Sequence, residues 1–460
     1  MDLYDYKTGY VAYPEVTRIA EGAKAPYVDH GTALIDPKRY YSKEEADLEW
    51  ERFWPKVWTW AGVTHDLQNV GDYFCAEVGR ESFIVIRSAP GRIQAFYNVC
   101  PHRGNRLVYD DHGTITEGNA IYCKFHGWRF NIDGSLREIK DQHTFRLETV
   151  ADLHSLKEVR CETWNSLVFI NMDPRAMPLM QHLGVVPEHL AHVRFDRMMV
   201  YSEMAGTIDA NWKVGMEAFI EFYHADDTHP QVLPITATLK TQYDLFDGGM
   251  SRMLINVGRT GDRSKSPDEV PKALQGFAVG FWGGDPGRFS KLKGQEYGKA
   301  HAAALRGWAE RNGHADLFER MTDHQVADDW NYHVFPTITL NVFSWGVLIQ
   351  SWTPHSSDPE KHVYRTMSLL LPVKDKQQHM MDPVSFAVSA EPGWDGSGPR
   401  PPRVYPKCLE EWGTVLSQDV ERIPKVQQGL RSRSYDGHRL SESESRIRHY
   451  LAEIDRYLGR

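Results

Sequence analysis

Hydrophobic and polar positions change their period twice along the chain, near residues 57 and 172. Before the first change, residues 41–54 set Leu48, Trp50, Phe53 and Trp54 among charged neighbours. Ser42, with Glu45 three residues on, predicts a capped amphipathic helix there. From Val57 to about Ile170 the runs are short and β-prone: Val57–Ala61, Tyr73–Val78, Phe83–Arg87, Ile93–Tyr97, Ile121–Cys123, Trp128–Ile132 and Leu167–Asn171. Gly, Pro, Asn or Asp separate most of them, as in a small all-β sandwich or barrel, and Asp133-Gly134 is a hairpin signal. After Met172 the texture is mixed. It predicts helices near 210–223, 299–322, 408–430 and 441–458, and strands near 334–352 and 363–373. The class is α+β, divided as a helical segment over 1–55, a β domain over 56–172 and a larger domain over 173–460. Two polar, Gly/Pro-rich stretches, 258–271 and 391–406, are loops, the first a candidate lid.

Composition narrows the classes. The 460 residues leave room for two or three domains, and 53 basic against 62 acidic side chains give a net charge of −9, so no nucleic-acid partner is expected. No stretch nears the roughly 20 apolar residues that span a bilayer, so no membrane association is expected. Met1–Tyr13 is acidic and tyrosine-rich, unlike a secretory signal. Five cysteines are too few and odd in number for a disulfide scaffold; reduced thiols in the cytoplasm are the expectation, with metal binding the use for a clustered pair. The 14 Trp and 21 His make a metal or a flat apolar ligand worth seeking without naming either.

Two constellations carry chemistry. Cys100-Pro-His102-Arg-Gly is followed twenty residues later by Cys123-Lys-Phe-His126-Gly-Trp, so two Gly/Pro-bearing loops each offer a thiolate and an imidazole. A zinc site uses the same ligands but usually opens with C-x-x-C; a Rieske cluster puts two Cys on one iron and two His on the other. The second is Tyr-His224-x4-His229-Pro. Residues five apart on an ideal helix lie about 140° from each other, so one ion can take both histidines only if the helix opens between them. Asp226-Asp227-Thr228 before Pro230 is the composition of a helix end. Non-haem iron oxygenases hold their metal with two His and one carboxylate.

The first pair of loops resembles the Rieske motif of the ring-hydroxylating oxygenase large subunits, and Tyr-His224-x4-His229-Pro resembles their mononuclear-iron motif. The resemblance implies a [2Fe-2S] cluster on Cys100, His102, Cys123 and His126, and an Fe(II) catalytic domain with an antiparallel sheet flanked by helices. The segment 1–55 would pack on that domain. Leu-Ser-Gln418-Asp419-Val-Glu resembles the late helix that supplies the family's carboxylate, which makes Asp419 the third ligand, with Glu421 and Glu411 as alternatives. Glu221 stands where the family bridges its first iron histidine to the cluster of an adjacent subunit, with His126 the favoured other end. Many members have Asp at that position, and some with Glu act on alkylammonium substrates.

The same resemblance implies a terminal oxygenase using O₂ and NAD(P)H electrons from a reductase, with or without a ferredoxin. The assembly would be a homotrimer, or three large subunits with three small ones. Phe219, Phe222, Phe277, Phe281 and Trp282 are candidate lining for an apolar pocket, beside Ala218, where relatives often carry Asn. The expected reaction is hydroxylation, foremost dihydroxylation, of an aromatic ring. Monooxygenation or N- or O-demethylation of an aliphatic, alkylammonium or methoxy substrate is the alternative. A non-catalytic Rieske electron carrier and a zinc-bound scaffold are the readings from other classes.

Overall fold

A computed structural model describes residues 22–116, 118–258, 272–292, 295–382 and 392–460. The candidate lid, from 259 onward, and the side chain of Phe277 lie outside the described residues. The chain forms two compact units: residues 48–182 with 354–358, and residues 22–47, 183–353 and 359–460.

In the smaller unit, seven strands form one sheet: β1 (Thr59–Val63), β2 (Asp72–Val78), β3 (Glu81–Ala89), β4 (Arg92–Tyr97), β5 (His112–Thr114), β9 (Glu158–Trp164) and β10 (Leu167–Asn171). Their order is β1-β10-β9-β4-β3-β2-β5. β6 (Ile121–Tyr122), β7 (Arg129–Phe130) and β8 (Leu136–Glu138) make a three-stranded sheet. All seven strands expected from the sequence are present. β5, β8 and β9 are additions, and β9 was hidden because Glu158, Arg160 and Glu162 break up its apolar run. Cys100 and Cys123 sit inside the apolar cluster of this unit with Ile121, Trp128 and Phe130. The helix over Lys43–Arg52 begins where Ser42 Oγ accepts the Glu45 N–H at 3.2 Å.

The larger unit is a seven-stranded antiparallel sheet of β11 (Met199–Ile208), β12 (Gln242–Leu245), β13 (Ser251–Ile255), β14 (Asp329–Val334), β15 (Ile338–Phe343), β16 (Gly346–Pro354) and β17 (His362–Leu370), ordered β11-β17-β16-β15-β14-β13-β12. The single β run expected near 334–352 is two strands, because Ser344-Trp345 turns the chain back. Register pairs Ile255 with Asp329, Met253 with Asn331 and Asn331 with Asn341, so these side chains share one face. Helices at Gln295–Asn312, Leu416–Gly429 and Ser445–Leu458 match three of the predicted ones. The last buries Ile447, Tyr450, Leu451, Ile454 and Leu458, a stripe of helical period. Residues of the N-terminal segment pack on this unit: Tyr40 OH donates to Glu217 at 2.8 Å and Arg39 pairs with Asp455 at 2.8 Å. Among the described residues, no helix is long and apolar enough to cross a membrane.

The hairpin signal at Asp133-Gly134 is a turn in which Gly134 has φ +82° and a Cβ would run into the ring of Phe96. Left-handed backbone costs an L-residue about 1–2 kcal/mol before any clash is counted. Gly134→Ala should therefore lower stability by about 2 kcal/mol or more, read as a fall in the urea midpoint at unchanged slope. A wild-type midpoint would contradict this account of the turn.

Candidate metal centres and their pocket

Cys100 and Cys123 of the smaller unit each open the same kind of loop. The Cys100 N–H donates to Asn105 O at 2.7 Å and its carbonyl accepts the Gly104 N–H at 2.9 Å. Cys123 repeats this with Trp128 and Gly127, both at 2.9 Å. Gly104 (φ +75°) and Gly127 (φ +81°) let each loop close, because a side chain rarely tolerates that backbone. The two loops bring His102 and His126 to 4.6 Å between ring centroids, and the Trp128 ring stacks on His102 at 4.7 Å. Nδ1 of His102 and Nδ1 of His126 are buried without a hydrogen-bond partner. Two orphaned imidazole nitrogens beside two buried thiols fit a group that takes lone pairs, as iron does. Burial pushes the Cys100 thiol up to about 11; the His102 backbone N–H opposes the rise and Cys123 adds to it. Burial, with His126 and Arg103 nearby, lowers His102. A neutral imidazole and a thiol that needs a cation to ionise are what a metal cluster requires.

In the larger unit, Asn211 caps the helix Trp212–Glu217, its Oδ1 accepting the Lys213 N–H at 3.0 Å. The helix predicted near 210–223 ends at Glu217, because the next N–H groups turn to three-residue bonds, Phe219 to Met216 and Ile220 to Glu217. The Glu221 carboxylate then accepts the backbone N–H groups of Tyr223 and His224, the latter at 3.1 Å, and so starts a new turn. That turn is a helix of four residues, Ala225–Thr228, with His224 at its entry and His229 at its exit (φ −123°, ψ 62°). The expectation of a helix opened between the histidines needs this correction: a separate turn lies between them, and both rings face one point from its two ends. Their centroids are 5.2 Å apart.

Asp419 meets them there. Its Oδ1 lies 3.1 Å from His229 Nε2 and 3.6 Å from His224 Nε2, and the three ligand atoms fall within 4.8 Å of one another. Asp419 is buried in the first turn of the helix Leu416–Gly429. The alternatives are engaged elsewhere: Glu421 pairs with Lys425 at 2.6 Å, and Glu411 accepts the Lys407 N–H at 2.8 Å. The far nitrogens are held as well. His224 Nδ1 bonds Glu221, and His229 Nδ1 lies 2.8 Å from Gln418 Oε1. With Nδ1–H donating outward, Nε2 keeps its lone pair for a metal. Burial opposes charging of His224, but Glu221 and Asp419 outweigh it and raise the ring to about 9. Two imidazoles and a carboxylate converging from one side can hold a divalent transition metal and leave its other side open.

Beside the triad is a cavity of about 820 Å³, counting its open mouth. Ala218, Phe219 and Phe222 line it as the sequence suggests. Phe281 and Trp282 are not part of its described wall. Trp282 is buried against Trp345 and Trp308, at 4.7 and 5.6 Å, because a third tryptophan completes that core more closely than an open wall would. Local motifs do not mark Gln418 or the cavity's sheet wall: Met253, Ile255 and Phe343, with the polar side chains Asp329, Asn331, Asn341 and Gln350. Only alternation of polar and apolar residues in β14 and β15 hinted at a polar inner face, and strand pairing was needed to see it. Asn341 donates to Asp329 at 2.8 Å, Gln350 donates to Asn341 at 3.1 Å, and Tyr364 OH donates to Gln350. Burial pushes the Asp329 carboxyl up to about 7, Asn341 opposing and Asp328 adding to the rise.

Comparison with known proteins agrees with this arrangement. The family model for the ring hydroxylating alpha subunit (catalytic domain) matches residues 187–460, and that for the Rieske [2Fe-2S] domain matches 57–157. The carnitine monooxygenase oxygenase subunit of Escherichia coli is 33% identical over 201 residues, 42% of this chain and 52% of that protein; the chain thus spans about half of that relative. The benzene 1,2-dioxygenase subunit alpha of Pseudomonas putida is 28% identical over 345 residues, 71% of this chain and 68% of that protein. Among solved structures, a quaternary ammonium Rieske monooxygenase shares the fold at TM-score 0.65 and 20% identity, covering 93% of this chain and 96% of that one. The naphthalene 1,2-dioxygenase of Rhodococcus sp. does so at 0.62 and 17%, covering 92% and 94%. With a Rieske domain and a ring-hydroxylating catalytic domain on one chain, the protein belongs to the Rieske non-haem iron oxygenases, whose alpha subunits carry a [2Fe-2S] cluster and a mononuclear iron.

Proposed function

We propose that this protein is the terminal oxygenase of a multicomponent system, with residues 56–172 as the electron-entry domain and 173–460 as the catalytic domain, which residues 22–47 join while 48–55 belong to the smaller unit instead. The observation that carries the reading is the convergence of His224 Nε2, His229 Nε2 and Asp419 Oδ1 beside a cavity. Cys100, His102, Cys123 and His126 would hold the [2Fe-2S] cluster, and the triad the iron. When bound, the cluster delivers electrons that reach it from NAD(P)H through a reductase, and the iron supplies O₂ activation and oxygen insertion. Glu221 accepts a hydrogen bond from Nδ1–H of His224 and Gln418 Oε1 accepts one from Nδ1–H of His229, which holds both rings in one tautomer and orientation. Phe219, Phe222 and Phe343 exclude water and seat the carbon to be oxidised.

The carboxylate of Glu221 uses three of about four acceptor sites inside its own chain, leaving one for a further donor. We assign that position to His126 of a neighbouring copy, in a ring of three chains, so that Glu221 would join a residue holding one copy's cluster to a residue holding the next copy's iron.

For the substrate we favour a polar or alkylammonium compound, oxidised by one oxygen atom at a C–H bond and losing an alkyl group where that carbon is attached to nitrogen. The buried polar wall supports it, since an arene leaves Asp329 Oδ1, which has no hydrogen-bond partner, bare at a cost of about 1–3 kcal/mol. Glu221 in place of Asp supports it too, as does the likeness to the carnitine monooxygenase subunit and, at 25% identity over 251 residues, to the glycine betaine monooxygenase oxygenase subunit of Pseudomonas aeruginosa. Dihydroxylation of an aromatic ring is the second reading, favoured by the phenylalanine walls and the longer match to benzene 1,2-dioxygenase.

Asp419→Ala should lose the mononuclear iron, so that metal analysis falls from about three to about two irons per chain, while the red-brown colour and EPR signal of the cluster persist. Unchanged iron would direct the search to another carboxylate. Glu221→Gln should keep both metals and lower steady-state turnover by about 10–100-fold with the natural reductant; full turnover would remove Glu221 from the bridging role. O₂ consumption coupled to product analysis decides the substrate class: a dealkylated or singly hydroxylated amine is expected, and a diol from an arene with no amine turnover would select the second reading.

A further inference from the structure

Asp329 is the one cavity-lining group whose chemistry the triad and its supports leave unexplained. It is 6% exposed, it lines the same cavity as His224, His229 and Asp419, and it stands on the sheet wall in register with Ile255 of β13. One carboxylate oxygen, Oδ2, accepts from Asn341 at 2.8 Å; the other, Oδ1, is buried with no hydrogen-bond partner. No ion pair among the described residues includes Asp329. The nearby buried Arg446 gives its N–H groups to Asn331 at 3.0 Å and Ser251 at 2.9 Å instead. Buried carboxylates in folded proteins are paired or coordinated, because an uncompensated one is expensive. A group this costly, on the wall of a ligand cavity and held by Asn341, which Gln350 holds in turn, is built to be completed by something that enters.

From this geometry we infer that Asp329 receives the positively charged nitrogen of the substrate, and that Phe222, Phe343 and Ile255 around the cavity take its alkyl groups. A cation is the partner because Oδ1 is an acceptor in need of positive charge. A neutral arene would leave it bare, and an anion would be repelled by it and by Asp419. The inference deepens the alkylammonium reading above and rests on it: one end of the molecule is anchored at Asp329, and a carbon elsewhere on it meets the triad. Gln350 and Tyr364 stiffen the wall by holding Asn341, so they act as positioning residues.

The test compares a cation with its uncharged twin. Choline and 3,3-dimethylbutan-1-ol share shape and hydroxyl group and differ in the central charge. Calorimetric titration of the iron-loaded protein should find choline binding at least about tenfold more tightly than the alcohol. Asp329→Asn, which keeps the size of the side chain, should erase that preference while iron content and cluster spectrum stay those of the wild type. If Asp329→Asn retains the preference, the anchor lies elsewhere and the inference fails while the alkylammonium reading stands. If the wild type binds the alcohol as well as choline, or binds no choline, both fail. Should the variant not fold, a crystal structure of the wild type soaked in choline decides: nitrogen within about 5 Å of Asp329 Oδ1 supports the anchor, and nitrogen seated anywhere else overturns it.

Discussion

The catalytic unit depends on a single helical turn. His224 and His229 are five residues apart, and on a continuous helix their rings would diverge by about 140°. The chain avoids this by ending one helix at Glu217 and running only Ala225–Thr228 between the two histidines, so that one ring enters the turn and the other leaves it. Glu221 makes the restart possible, since its carboxylate accepts the N–H groups of Tyr223 and His224 that the interrupted helix leaves bare. The same carboxylate holds His224 Nδ1, so the group that shapes the backbone also sets the tautomer of the ligand. Asp419 is delivered from almost two hundred residues away, and Gln427, two turns along its helix, ties that delivery down. Its side chain accepts the Asn211 N–H at 2.9 Å and donates to Tyr40 O at 3.0 Å, linking the carboxylate helix to the cap of the histidine-bearing segment.

The smaller unit solves a related problem with two copies of one loop. Cys100 and Cys123 each accept a glycine N–H four residues on and donate to a carbonyl five residues on, and each loop then carries a histidine two or three residues past its cysteine. Both thiols are buried in the apolar cluster, where burial keeps that of Cys100 protonated without metal, while the orphaned Nδ1 atoms of His102 and His126 leave lone pairs ready. Both centres therefore rest on the same device: polar atoms are taken out of water and left incomplete, so that a metal completes them. Asp329 is left incomplete in the same way on the cavity's sheet wall.

Much of this was legible in the chain. The β-to-mixed transition near residue 172, the helix capped by Ser42 and the turn at Asp133-Gly134 follow from local spacing and local chemistry, which tertiary packing did not override. β9 was illegible because alternating charges masked a strand whose other residues are covered only once β10 and β4 flank it. Trp282 misled because an aromatic side chain reads the same in a core as in a pocket wall; only its packing on Trp308 and Trp345 separates the two. Gln418 adjoins Asp419 in the sequence, but nothing local says that its oxygen lies 2.8 Å from a histidine ring.

By itself the sequence determined the candidate ligand types and their pairing, Cys with His twice and His with His once, because those residues sit close along the chain and short spacing limits what a loop can do. It also determined that the chain is α+β, since period and punctuation are local properties. Tertiary structure decided between Asp419, which the resemblance of its helix pointed to, and the other acids, and it alone decided which polar side chains face the cavity. Asp419, Asp329 and Asn341 reach the cavity through helix packing and strand register, and those contacts between distant segments form only when the chain has closed around its core.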